Sequence, residues 1–157
     1  MPTLSRPSFE AAVEAARKSM STGGVPIGAA LERNGQLIAT GHNQRFQQGD
    51  PTAHGEIDCI RAAGRQTTYT DTVLYTTLAP CAMCAGTIIQ FKIPTVVVGE
   101  STTFPGELDL LRSRGVEVIV LNDERCTQLM QDFQRAQPEL WAEDIGELTE
   151  NQLNHLK

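Results

Sequence analysis

Residues 73–99 read VLYTTLAPCAMCAGTIIQFKIPTVVVG, and this stretch decides the fold. Val73 to Thr77 is β-branched and aromatic, the composition of a strand. Pro80 follows, a residue favoured in the first turn of a helix, so Cys81 to about Gln90 is predicted to be helical. Thr95 to Gly99, with three consecutive valines, is a short apolar run of the kind that forms a buried strand. Strand, helix and strand in succession make a crossover unit whose two strands run parallel.

The same alternation extends both ways. Downstream come a short helix from Glu107 to Arg112, a strand from Val116 to Leu121, and a helix from Asp123, placed to cap it, to Gln137. Pro138 ends that helix, an amphipathic segment covers Glu139 to Gly146, and the polar tail from Glu147 is expected to fray. Upstream, a helix from His54 to Ala63 stops at Gly64, after a polar loop from Gly41 to Pro51. Two apolar runs, Pro26 to Leu31 and Gln36 to Thr40, flank Asn34-Gly35, the signature of a hairpin with a type I′ turn. Phe9 to Met20 has helical spacing, with Ser8 as its cap and Gly23-Gly24 as its end. The expected fold is α/β, a three-layer α/β/α sandwich on a five-stranded mixed sheet, the first strand pair antiparallel and the later strands parallel. With no repeat or linker, the 157 residues read as one domain, core about 8–147, followed by a polar tail at 148–157.

Thirteen basic against nineteen acidic residues give a net charge of −6, and no cluster of Lys or Arg reverses it locally. A polyanion is repelled on average, which argues against a nucleic-acid partner. No run approaches the roughly 20 apolar residues of a membrane span, and no signal-peptide core is visible, so no membrane partner and a cytoplasmic location are expected. A reducing compartment leaves Cys59, Cys81, Cys84 and Cys126 as thiols.

Against that background Cys81-Ala82-Met83-Cys84 reads as metal-binding or catalytic. Its thiols project from one side of a helical first turn, where the helix dipole favours the thiolate. His54-Gly55-Glu56 opens another helix and adds an imidazole. One histidine and two cysteines with no fourth protein ligand suit a catalytic zinc, which keeps a position open for water; a structural zinc is closed by a fourth ligand. Glu56 is then free to move protons to and from that water. Alone, C-x-x-C is also compatible with a redox pair and His-x-Glu with chance; together, with Pro80 ahead of the first cysteine, they match the zinc deaminase pattern. Cys59 and Cys126 sit among apolar neighbours as buried thiols, and His42 and His155 as loop or surface histidines.

Beyond that pattern the chain resembles the small fungal-type cytosine deaminases of the cytidine-deaminase-fold superfamily. The stretches that carry this are Gly24-Val25-Pro26-Ile27-Gly28, Gly41-His42-Asn43-Gln44-Arg45-Phe46-Gln47, His54-Gly55-Glu56-Ile57 and Leu74 to Cys84. Val97-Val98-Gly99-Glu100, Asp123-Glu124-Arg125-Cys126 and Trp141-Ala142-Glu143-Asp144-Ile145-Gly146-Glu147 complete them. The resemblance implies a cytidine-deaminase-like fold, one zinc per subunit, a homodimer, and hydrolysis of free cytosine to uracil and ammonia in pyrimidine salvage. It implies that Asn43 grips the pyrimidine ring, helped by the Gly55 N–H at the C2 oxygen, that Asp144 accepts from ring N1–H, and that Phe46, Phe104 and Trp141 form apolar walls with Ile27 beneath. A carboxylate aimed at N1 rejects a nucleoside, which carries a sugar there. Read without the resemblance, Asp144 is a solvated acid beside Glu143, Asn43 caps a loop, and the aromatics are core. Ala79 stands where the family commonly has a polar residue; its carbonyl is expected to accept from the exocyclic amine. The alternatives within the fold are a deaminase of another small amino-heterocycle such as guanine, or a tRNA adenosine deaminase.

Overall fold

The computed structural model describes residues 6–157. The chain forms a five-stranded sheet in the order β2-β1-β3-β4-β5, from β1 (Gly28–Arg33), β2 (Gln36–His42), β3 (Thr72–Leu78), β4 (Thr95–Glu100) and β5 (Glu117–Val120). β1 pairs antiparallel with both β2 and β3, whereas β3, β4 and β5 run parallel. Asn34 and Gly35 both take positive φ, 50° and 78°, the type I′ turn expected between β1 and β2.

Alternation along the strands sorts side chains to two faces. Ala30, Tyr75 and Val97 pack with Phe9, Ala12 and Val13 of α1 (Arg6–Ser21) and Cys126 of α6 (Glu124–Ala136). Ala29, Leu31, Leu74, Val96 and Val98 face the other way. They meet Cys59 of α3 (Gly55–Ala63), Ala85 and Ile88 of α4 (Ala82–Gln90), and Leu111 of α5 (Leu108–Ser113). Three layers follow, as expected. A third apolar group, Val25, Ile27, Leu78, Met130 and Phe133, closes the sheet at the carboxyl end of β3, with Phe104, Leu140 and Trp141 packed on it. No helix among the described residues is long and apolar enough to cross a membrane.

Several elements differ from the sequence reading. The first helix begins before Ser8, whose hydroxyl donates to Glu32 Oε1 at 2.9 Å across the α1–sheet interface instead of capping. The polar loop contains a one-turn helix, α2 (Arg45–Gln48), closed by Gly49 in the left-handed region. After α7 (Pro138–Asp144) the polar tail contains a further helix. This is α8 (Glu150–His155), whose start is a capping box between Thr149 and Gln152. Asp123 caps α6 as expected, accepting from the N–H groups of Arg125 and Cys126.

Gly28 lets α1 lie directly on β1. A Cβ there would come 2.0 Å from Ala12 O and 2.5 Å from Ala16 N, both rigid backbone. Gly28→Ala is expected to cost about 3 kcal/mol in denaturant unfolding, as overpacking against helix backbone does. Gly86→Ala, in open space on α4, is expected to stabilise by up to about 1 kcal/mol. Equal midpoints for the two variants would refute this account of the α1–β1 contact.

Candidate active site

Two helix starts meet beyond the carboxyl end of β3. His54 is the N-cap of α3 and Cys81 the N-cap of α4, both with extended backbone, and neither side chain caps its own helix. Both are thereby turned toward the space between the helices. The ligand atoms of His54, Cys81 and Cys84 all lie within 4.8 Å of one another, the one such donor group among the described residues. Cys81 Sγ stands 3.4 Å from His54 Nδ1, while His54 Nε2 is 3.9 Å from Asp144 Oδ1. His42 and His155 are elsewhere, each with Nδ1 on a local backbone carbonyl.

The electrostatics of this cluster favour a cation. The Cys84 hydrogen bond, opposed by burial and helped by His54, pulls the Cys81 thiol down to about 4. The same bond and burial, with Glu56 nearby, push Cys84 well above the usual thiol range. Burial first, then the Cys81 charge, raises Glu56 to about 7. Burial works to lower His54, but the Cys81 hydrogen bond and the charges of Asp144 and Glu56 outweigh it, raising it to about 9. Two sulfurs and a buried carboxylate crowd together with one imidazole to offset them. A divalent ion accepting the imidazole and both sulfurs removes that repulsion, so the donor set fits zinc in type, number and proximity. By contrast, burial drives Cys59 and Cys126 up to about 12, leaving them inert.

A small, narrow cavity opens over the cluster. Of the residues expected there, Ile27, His54, Glu56, Ala79, Cys81, Phe104, Trp141 and Asp144 line it. Phe104 and Trp141 meet edge to face, centroids 5.7 Å apart. Cys84 is fully buried beneath, and Gly55 begins α3 directly after His54. Asn43, also fully buried, donates from Nδ2 to Asp144 Oδ1 at 2.8 Å, and its Oδ1 accepts from the Arg45 N–H at 3.1 Å. Asn43 thus caps the start of α2, as the loop reading expected, and also ties that loop to Asp144. Asp144 is 7% exposed, not a solvated acid. Burial raises its pKa, partly offset by His54 and Asn43. Glu143 is the solvated neighbour, paired with Arg45 at 3.1 Å.

Phe46 is not brought into this cavity. It lies on α2, 59% exposed, beside Gly23 and a shallow depression shared with Leu140 and Glu143. The four-residue helix turns its ring outward. Two lining residues escaped the sequence reading, Leu78 and Ile145. Ile145 follows Trp141 by one helical turn, a spacing that could have revealed it. A Cβ on Gly106 would fall 2.8 Å from Ala79 Cβ, so the Ala79 methyl packs on the turn at residue 106.

Residues 4–100 match the family model of the cytidine and deoxycytidylate deaminase zinc-binding region. The chain is 42% identical to the cytosine deaminase of Candida albicans over 142 residues, 88% of this chain and 95% of that protein. It superposes with TM-score 0.70 on a structure from work on A-to-I editing by tRNA:A34 deaminases, 29% identical, covering 79% of this chain and 99% of that one. The guanine deaminase of Nitrosomonas europaea shares the fold at 23% identity and TM-score 0.71, with 85% and 87% of the chains covered. The metal donor set, the carboxylate beside it and the sheet that carries them place the chain in the zinc-dependent cytidine and deoxycytidylate deaminase family.

Proposed function

We propose that this protein hydrolyses free cytosine to uracil and ammonia. The observation that carries the reading is a buried carboxylate, Asp144, held by Asn43 in the same small cavity as His54, Cys81 and Glu56. The identity with the Candida albicans cytosine deaminase supports it.

His54, Cys81 and Cys84 are the residues to hold zinc, which when bound supplies a Lewis acid that makes its water acidic near neutral pH. Asp144 accepts from ring N1–H, while Asn43 and the Gly55 N–H hold the C2 oxygen. Phe104, Trp141 and Ile27 sandwich the ring and keep bulk water out. The Ala79 carbonyl, with its methyl turned aside, accepts from the exocyclic amine and so marks C4 as the reacting carbon. Glu56, 4% exposed and with its pKa raised by burial, takes a proton from the attacking water and gives it to ring N3, making C4 more electrophilic. As the water oxygen bonds to C4, Glu56 carries the remaining hydroxyl proton to the exocyclic amine; the C4–N bond breaks, the C4 carbonyl forms and ammonia leaves.

Asp144 sets the choice between base and nucleoside. A ribose at N1 removes the donor and leaves a buried carboxylate unpaired, so cytidine should react at least about 1,000-fold more slowly in kcat/KM. Released ammonia, measured on cytosine, cytidine and guanine in parallel, tests this. Equal rates on cytosine and cytidine would remove the role given to Asp144, and turnover of guanine alone would replace the substrate. We further infer a cytoplasmic homodimer serving pyrimidine salvage. The free thiols of Cys59 and Cys126 suit a reducing compartment, exposed Met83 and Phe91 at α4 offer an apolar strip for a second copy, and the net charge of −6 disfavours nucleic acid.

A further inference from the structure

At the end of β4 the structure buries a carboxylate that the mechanism does not use. Glu100 is 0% exposed. Burying such a group is costly unless its lone pairs are met, and here they are met from one short segment. Glu100 Oε2 accepts from the N–H groups of Thr102 at 2.7 Å and Thr103 at 2.9 Å, and Oε1 accepts from the Thr103 hydroxyl. Its main-chain carbonyl accepts from the N–H of Ala79 at 3.0 Å. Gln134 Nε2 of α6 donates to Thr103 O at 3.3 Å, and at the far end of the loop the Glu107 N–H donates to Pro80 O at 2.9 Å. Phe104 comes directly after these anchored residues and meets Trp141 across the cavity.

We propose that Glu100 is a positioning residue for the substrate cavity: its side chain fixes residues 102–103 and thereby the Phe104 ring, while its carbonyl fixes Ala79 beside Cys81. A base stacked in the cavity is gripped only if the Phe104 edge stays against Trp141. Slackening the loop admits water and weakens binding of the ring, while the zinc residues keep their places. The inference rests on the proposed role of Phe104 and Trp141 as walls.

Trp141 is the single tryptophan of the chain, so its fluorescence reports this packing directly. Glu100→Met keeps length without acceptors. Glu100→Gln keeps a carbonyl oxygen for the two N–H groups and offers its NH₂ to the Thr103 hydroxyl oxygen, and serves as the conservative rescue. Measured on the zinc-loaded proteins, E100M is expected to raise KM for cytosine about tenfold with a smaller change in kcat. Its Trp141 emission should shift to the red, its zinc content should not change, and E100Q should recover most of both signals. Thr103→Val, which removes one bond and perturbs the fold least, is expected to raise KM about threefold with a smaller emission shift. A folded E100M with normal KM and emission, or E100Q no better than E100M, overturns the inference. If E100M does not fold, T103V with unchanged KM and emission overturns it. Phe104→Ala separates the two readings: unchanged KM there overturns the wall and this inference with it, whereas raised KM in F104A beside normal KM in E100M overturns this inference alone.

Discussion

Replacing Glu56 by glutamine is expected to leave the protein folded with its zinc and to lower kcat by about 10,000-fold, the upper end of what proton transfer by one positioned side chain contributes. The upper end applies because one carboxylate serves the water, ring N3 and the leaving amine in turn. Glutamine has nearly the same volume, so the packing of a residue 4% exposed is kept while the ability to take up a proton is lost. Burial is the first cause of its raised pKa and the Cys81 charge the second, and neither is altered by the substitution. The paired measurements are metal content and single-substrate kinetics. A variant with normal zinc and a rate within tenfold of the parent would end the assignment of Glu56 as proton carrier.

Cys84→Ser is expected to remove the metal and, with it, all but a trace of activity, a loss of at least about 1,000-fold, because a neutral hydroxyl is a poor ligand where zinc requires a thiolate. The serine conserves volume in a fully buried position, so the fold should survive while the stabilisation that bound zinc confers is lost. Cys126→Ser is the control, since that thiol lies among Phe9, Val13 and Tyr75 on the opposite face of the sheet. Metal analysis of both variants decides the matter: one zinc per chain retained in C84S would break the ligand set.

What was legible in the sequence divides by the length scale of the signal. Val96-Val97-Val98, Asn34-Gly35 and Pro80-Cys81 are local patterns with local causes, and the strands, the I′ turn and the helix start follow from them. The metal donors were legible because helix starts place N-cap side chains off the helix axis, and His54 and Cys81 are both N-caps. α2 was not, since four residues carry no periodicity. α8 was signalled by Thr149-x-x-Gln152, but its polar composition masked that capping box. Phe46, expected as a wall, is turned outward, and Glu100, an acid to which the sequence assigned no role, is taken inward. Phe46 is set beside Gly23, 23 positions away, whereas Glu100 is met by its near neighbours Thr102 and Thr103, a local contact that no periodicity announces.

The bond between Asn43 and Asp144 joins residues 101 positions apart, and the family match ends at residue 100. The metal donors and Glu56 therefore lie inside the shared stretch, whereas Phe104, Trp141, Asp144 and Ile145 lie beyond it. Inheritance can treat the two stretches separately. On the proposed reading, changes confined to 101–145 would reshape one side of the cavity over an unaltered reaction centre, so that a new fit need not cost the chemistry.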